Sequence, residues 1–185
     1  MIFLYKVLKK IFKKPLFSCG NIWYATNGGK PMLKKEEHGM VSIFDVARYI
    51  LNHAGPMTAM KLEKLVYYSQ AWSLAWDGAP LFANDFQAWA NGPVCPELFS
   101  SHRGRYELPP NFYDDCGNAN HFTESQKETI DAVLRGYGDK SAQWLSNLTH
   151  KERPWREARE GIPAGVRSQN IISKDTMQDY YGGLQ

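Results

Sequence analysis

Thr58-Ala59-Met60-Lys61-Leu62-Glu63-Lys64-Leu65-Val66-Tyr67-Tyr68-Ser69-Gln70-Ala71-Trp72-Ser73-Leu74-Ala75-Trp76 is the longest stretch of the chain that reads as one helix. Its apolar positions, Met60, Leu62, Leu65, Val66, Tyr68, Ala71, Trp72 and Ala75, lie nearly all round the helical wheel, so the helix belongs at the centre of the fold. Asp77-Gly78-Ala79-Pro80 stops it. Upstream, Ser42 with Asp45 forms a capping box, and Ile43, Val46, Ala47, Ile50 and Leu51 follow at helical spacing until Gly55-Pro56. Downstream, Thr123 with Gln126 caps a helix running to about Tyr137, with Ile130, Val133 and Leu134 facing inward and Gly136 and Gly138 at its end. Ser141 opens a helix carrying Trp144, Leu145 and Leu148. Pro154 sits in the first turn of a short one with Trp155 and Ala158, and Ser173 precedes a last turn or two bearing Met177, Tyr180 and Tyr181. Trp72, Trp144 and Trp155 are expected in the core.

One segment breaks the helical pattern. Leu81-Phe82 leads into a strand at about 84–90, where Phe86, Ala88 and Ala90 alternate with Gln87 and Trp89, as one arm of a small hairpin would. Asn91-Gly92-Pro93 ends that strand: glycine permits positive φ, proline fixes φ, and Pro96 suits the first turn of a helix beginning near Glu97. Pro109-Pro110, Asp114-Asp115 and Gly117-Asn118 forbid a long regular element between 104 and 120, which reads as a surface loop. The fold class is mainly α: a compact helical domain with a small β-strand or hairpin insertion.

Three stretches together, Phe86-Gln87-Ala88-Trp89-Ala90-Asn91-Gly92-Pro93-Val94-Cys95-Pro96-Glu97-Leu98-Phe99, Tyr67-Tyr68-Ser69-Gln70-Ala71-Trp72 and Trp155-Arg156-Glu157-Ala158, resemble the Panacea domain. That domain is the core of SocA-like antitoxins and phage-associated GepA-type proteins. The resemblance covers about residues 40 to 185. It implies an antitoxin that neutralises a cognate toxin encoded in an adjacent gene by direct binding, either blocking it or handing it to a cellular protease. No DNA-binding helix-turn-helix is visible beside the domain.

Charge is divided unevenly. Residues 1–39 hold eight lysines against two glutamates, a net +6, whereas residues 40–185 hold fourteen Lys and Arg against seventeen Asp and Glu, a net −3. A nucleic-acid binder concentrates positive charge in a run or stripe, and the domain has none, so no nucleic-acid partner is expected for it. In the leader, Phe3, Leu4, Val7, Leu8, Ile11 and Phe12 recur at helical spacing among five lysines, as in a basic membrane-surface helix. Those lysines leave no uninterrupted apolar run of about 7 to 15 residues for a signal peptide, and nothing near the roughly 20 that would span a membrane. A second reading is that Met40 is the start, since Lys35-Glu36-Glu37 can be encoded as a ribosome-binding sequence; residues 1–39 would then be translated upstream DNA. Both stand as expectations: a basic leader, disordered or mis-called, and a domain at 40–185.

Cys19, Cys95 and Cys116 are widely separated and form no CxxC pair, a reduced, cytoplasmic pattern. The enzyme alternative is a small Cys/His hydrolase, with Cys95 in a constrained turn and His102 about two helical turns on. A nucleophilic thiol needs a depressed pKa, and Pro93 and Pro96 remove amides that would stabilise a thiolate. His38, His53, His102, His121 and His150 lie too far apart for a helical metal site, and neither Gly28-Gly29 nor Gly182-Gly183 has phosphate-loop context. No enzyme, cofactor or metal is expected. The residues expected to meet the partner are Gln87, Trp89, Asn91, Gly92, Pro93 and Glu97, because tryptophan is enriched where partners bind most strongly and an edge strand offers unpaired backbone groups.

Overall fold

A computed structural model describes residues 41–117 and 122–184. The leader, the proposed start at Met40, Cys19, His38 and His121 lie outside them. Seven helices are present among the described residues: α1 (Ile43–Ala54), α2 (Ala59–Asp77), α3 (Pro96–His102), α4 (Glu124–Tyr137), α5 (Ala142–Thr149), α6 (Arg153–Ala158) and α7 (Lys174–Gly182). Their starts follow from local chemistry. Ser42 and Asp45 make a reciprocal capping box, as do Thr123 and Gln126, while Thr58, Ser141 and Ser173 each accept from a backbone N–H three residues on.

Helix α2 is the centre, packed by α1, α4, α5 and α7. All but five of its residues are buried, and five of the buried ones are polar: Glu63, Lys64, Ser69, Gln70 and Ser73. A buried polar group costs stability unless it is bonded, so each must have a partner. Gln70 shows how these partners shape the chain. Its Oε1 accepts from the amides of Leu81 (2.8 Å) and Phe82 (3.2 Å), its Nε2 donates to Phe82 O (2.9 Å), and Ser73 Oγ donates to Ala79 O (2.9 Å). The turn after α2 is thus held against α2 itself, which aims the following strand.

That strand, β2 (Phe86–Trp89), is the middle of a three-stranded antiparallel sheet with β3 (Gly92–Val94) and β5 (Ile171–Ile172) on its two sides. Trp89 faces Gly92, Ala88 faces Pro93, and Gln87 faces both Val94 and Ile171. A second, two-residue pair joins β1 (Met57–Thr58) to β4 (Glu107–Leu108). Four expectations change. The strand Phe86–Trp89 is not an edge strand offering unpaired backbone groups but the middle strand, bonded on both sides. Residues 92–94 do not merely end a strand but form its antiparallel partner, completing a hairpin. The 104–120 segment is not wholly a surface loop, because Leu108 and Tyr113 are buried and β4 closes on β1. Trp144 and Trp155 are half-buried at the edge of the core instead of inside it, and only Trp72 lies inside as expected.

A cluster of tyrosines surrounds Glu152 in the core. Tyr68 and Tyr181 hydroxyls both donate to its Oε2, at 3.0 and 2.7 Å. Burial outweighs these bonds and pushes the carboxyl up to about 7. A carboxyl whose folded value is raised from 4.5 binds its proton more tightly in the folded state, so the stability it contributes is complete below about 4.5 and lost as pH rises towards 7. The loss amounts to roughly 3 kcal/mol. Glu152→Gln, which mimics the protonated group with both hydroxyls on its carbonyl oxygen, is expected to flatten this part of the pH profile in urea melts. An unchanged pH dependence would show that Glu152 is not the titrating group.

Candidate functional site

The hairpin made by β2 and β3 is fixed from beneath by a series of side chains that bond its backbone. Arg159 Nη1 donates to Ala88 O (2.9 Å), Trp155 Nε1 to Trp89 O (3.0 Å), Ser146 Oγ to Asn91 O (3.0 Å) and Lys64 Nζ to Pro93 O (2.8 Å); Cys95 N donates to Glu63 Oε2 (3.0 Å). The helices α2, α5 and α6 and the end of α6 at Arg159 thus hold positions 88, 89, 91, 93 and 95 in turn. Buried polar networks in which every member is satisfied fix a single geometry. Burial pulls the Lys64 amine down to about 8, against the opposing pull of Glu63.

Gly92 has φ +103°, as its place in a tight hairpin turn requires, and approaches Lys64 and Thr149 too closely for any side chain. Gly92 and Pro93 are both buried, so they shape the turn while Gln87, Trp89 and Asn91 face outward. The Trp89 ring is half-buried: it packs edge-on against Phe99 (4.9 Å), lies under the Arg167 guanidinium (5.6 Å) and donates to Gln87 Oε1 (2.8 Å). Glu97 is exposed in the first turn of α3 and borders a smaller pocket shared with Gln87 and Ile171.

Beside this hairpin lies an open groove of about 750 Å³, walled by Met60, Trp89, Asn91 and Phe99 and rimmed by Arg103, Arg105 and Arg167. Three large apolar side chains among the described residues are exposed. Tyr106 (82% exposed) adjoins Arg105, Val166 (48%) adjoins Arg167, and Ile171 (58%) borders the smaller pocket.

The hydrolase pair is not assembled. Cys95 Sγ donates to Glu97 Oε2 (3.1 Å), while His102 Nε2 donates to Glu63 Oε1 (2.9 Å). Burial, with Glu97 alongside, pushes the Cys95 thiol up to about 12, the opposite of what a nucleophile needs. Among the described residues no cluster of His, Cys, Asp and Glu could hold a metal, and no helix is long and apolar enough to cross a membrane. Reading the sequence alone missed Glu63, Lys64, Ser146 and Arg159, the residues that hold the turn. Charged residues inside the apolar stretch 59–76 were the available signal, since such residues are buried only with partners.

Residues 62–156 match the family described as antitoxin SocA-like, Panacea domain. The chain is also similar to "Antitoxin SocA" of Caulobacter vibrioides (strain NA1000 / CB15N), with 28% identity over 148 residues, covering 70% of this chain and 79% of that relative. No solved structure matches. The matched segment holds α2 from Leu62 onward, the hairpin, α3, α4 and α5 and reaches into α6, and so spans four of the five side chains that pin the hairpin.

Proposed function

Since the chain belongs to the SocA-like, Panacea-domain antitoxin family, we propose that it neutralises a toxin encoded beside it by stoichiometric binding through the face bearing Gln87, Trp89 and Asn91, with Glu97 at its border. Gly92 and Pro93 serve this face from below by setting the turn. The observation that supports the reading best is the run of side-chain bonds to positions 88–95: a surface whose backbone is fixed before the partner arrives loses little conformational entropy on binding. We further propose that the working domain runs over 40–185, beyond the matched segment. Its support is that α1 and α7 bury Ile50, Leu51, Met177 and Tyr181 against the same core. A cytoplasmic site of action fits the free thiols of Cys95 and Cys116. Family membership argues against enzymatic activity, and Cys95 is read as a packing residue.

The test is co-expression of the neighbouring gene with and without this chain, followed by co-purification. Growth arrest should be relieved only when both are present, in a complex of fixed stoichiometry. Trp89→Ala should weaken that complex by about 2 kcal/mol or more, and Asn91→Glu, an exposed change that leaves the turn alone, should weaken it too. Cys95→Ala should retain full neutralisation. Rescue by substoichiometric amounts without a detectable complex, or its loss in Cys95→Ala that is folded and still binds, would overturn the binding mechanism.

A further inference from the structure

The groove beside the hairpin carries a charge opposite to that of the domain around it. Arg103, Arg105 and Arg167 line it and are exposed, while residues 40–185 carry a net −3. No carboxylate among the described residues pairs with any of the three. Glu63, the one acidic residue in the lining, is buried, with both its oxygens engaged by Cys95 N and His102 Nε2. Lys64, also in the lining, is engaged by Pro93 O. Among the described residues, then, none of the three guanidinium groups meets a carboxylate, Arg167 lying over the Trp89 ring, and the groove lining offers no available negative charge. Between the arginines lie apolar walls, the Trp89 and Phe99 rings and Met60; the exposed Tyr106 and Val166 adjoin Arg105 and Arg167 in the chain.

We propose that this groove receives an acidic segment of the toxin, its carboxylates paired with Arg103, Arg105 and Arg167 and an apolar side chain laid against Trp89 and Phe99. The inference rests on the reading that the toxin docks on this face and adds the chemistry of what docks. Guanidinium groups bind carboxylates with paired, directional bonds, and tryptophan, tyrosine and arginine together are the composition of strongly binding protein interfaces. A nucleic acid would use the same charges, but the net-negative body around the groove opposes a long polyanion, whereas a short acidic segment can be confined to the rim.

Binding is measured by titration calorimetry between this protein and the purified product of the adjacent gene. Arg103→Glu, Arg105→Glu and Arg167→Glu combined, all at exposed positions, should leave the circular dichroism unchanged and weaken binding about a hundredfold. The corresponding glutamine variant should weaken it about tenfold, and wild-type affinity should fall as salt is raised. Toxin variants with each acidic stretch changed to lysine should include one that restores affinity for the charge-reversed antitoxin. Wild-type affinity of the charge-reversed protein, with Trp89→Ala still defective, would overturn the acidic segment and leave the docking face intact. Unaltered affinity in both would overturn docking on this face altogether. A labelled single-stranded oligonucleotide that binds the wild type and not the charge-reversed variant would assign the groove to nucleic acid instead.

Discussion

Gly92→Val is expected to destabilise the domain by about 4 kcal/mol and to abolish toxin neutralisation. Two costs combine. At φ +103° a side chain of any kind is strained, by roughly 1–3 kcal/mol. A Cβ here would also stand 2.6 Å from Lys64 Cε and 2.9 Å from Thr149 Oγ1. The lysine is the far end of a flexible chain, which would ordinarily move aside. Here it is buried, and its amine is tied to Pro93 O, so retreat breaks a bond that holds the hairpin. Thr149 is similarly held, its hydroxyl donating to Ser146 O, while Ser146 in turn bonds Asn91 O. Overpacking of this kind costs roughly 1–3 kcal/mol more. Urea denaturation measures the sum, and a midpoint equal to that of the wild type would show that the turn has another conformation.

Glu63→Ala is expected to cost about 3 to 5 kcal/mol, because removing one member of a buried, bonded charged group leaves the others unpaired. Glu63 Oε2 takes the Cys95 amide and Oε1 takes His102 Nε2, so this single carboxylate ties both ends of α3 to α2. The seven-residue α3 has no side-chain cap of its own, its N-cap position being Cys95. A helix so short is not stable by itself and depends on such tertiary bonds. The amide resonance of Cys95 should shift strongly and hydrogen exchange across 95–102 should accelerate, along with the drop in denaturation midpoint. Glu63→Gln should recover only part of the loss, since its amide offers one acceptor oxygen where two donors arrive. Stability within error of the wild type in Glu63→Ala would mean that water replaces the carboxylate without cost.

The helices were legible in the sequence because their signals are local. Ser42 with Asp45, Thr123 with Gln126, and the glycines at 55 and 78 act within a turn or two of themselves, and each sits where it was read. Gly92 was likewise legible, since an Asn-Gly-Pro sequence leaves few conformations open. What could not be read was non-local. Nothing in Ile171-Ile172 indicates that it pairs with Phe86 and Gln87, and two residues carry too short a pattern for alternation to show. The half-burial of Trp144 and Trp155 depends on how far the core extends above α5 and α6, which spacing along a helix does not encode. The partner face was chosen from Gln87, Trp89, Asn91, Gly92, Pro93 and Glu97, and the structure divides that set between outward side chains and buried turn-formers. The arginine rim escaped notice because Arg103 and Arg105 are more than sixty positions before Arg167 and form no run.

The bonds that fix the hairpin join residues 29, 32, 55, 66 and 71 positions apart along the chain. None can form until the helices on both sides of the hairpin have docked, so the face is among the last features to appear as the chain folds and no excised hairpin peptide would carry it. Nor can it be eroded by degrees. An unfoldase that pulled on either end of the domain would first strip away α1 or α7, and the supports of the outward side chains would go together when α2, α5 or α6 followed. If the toxin docks on this face as proposed, holding it is an all-or-none property that ends when the helices supporting the hairpin give way.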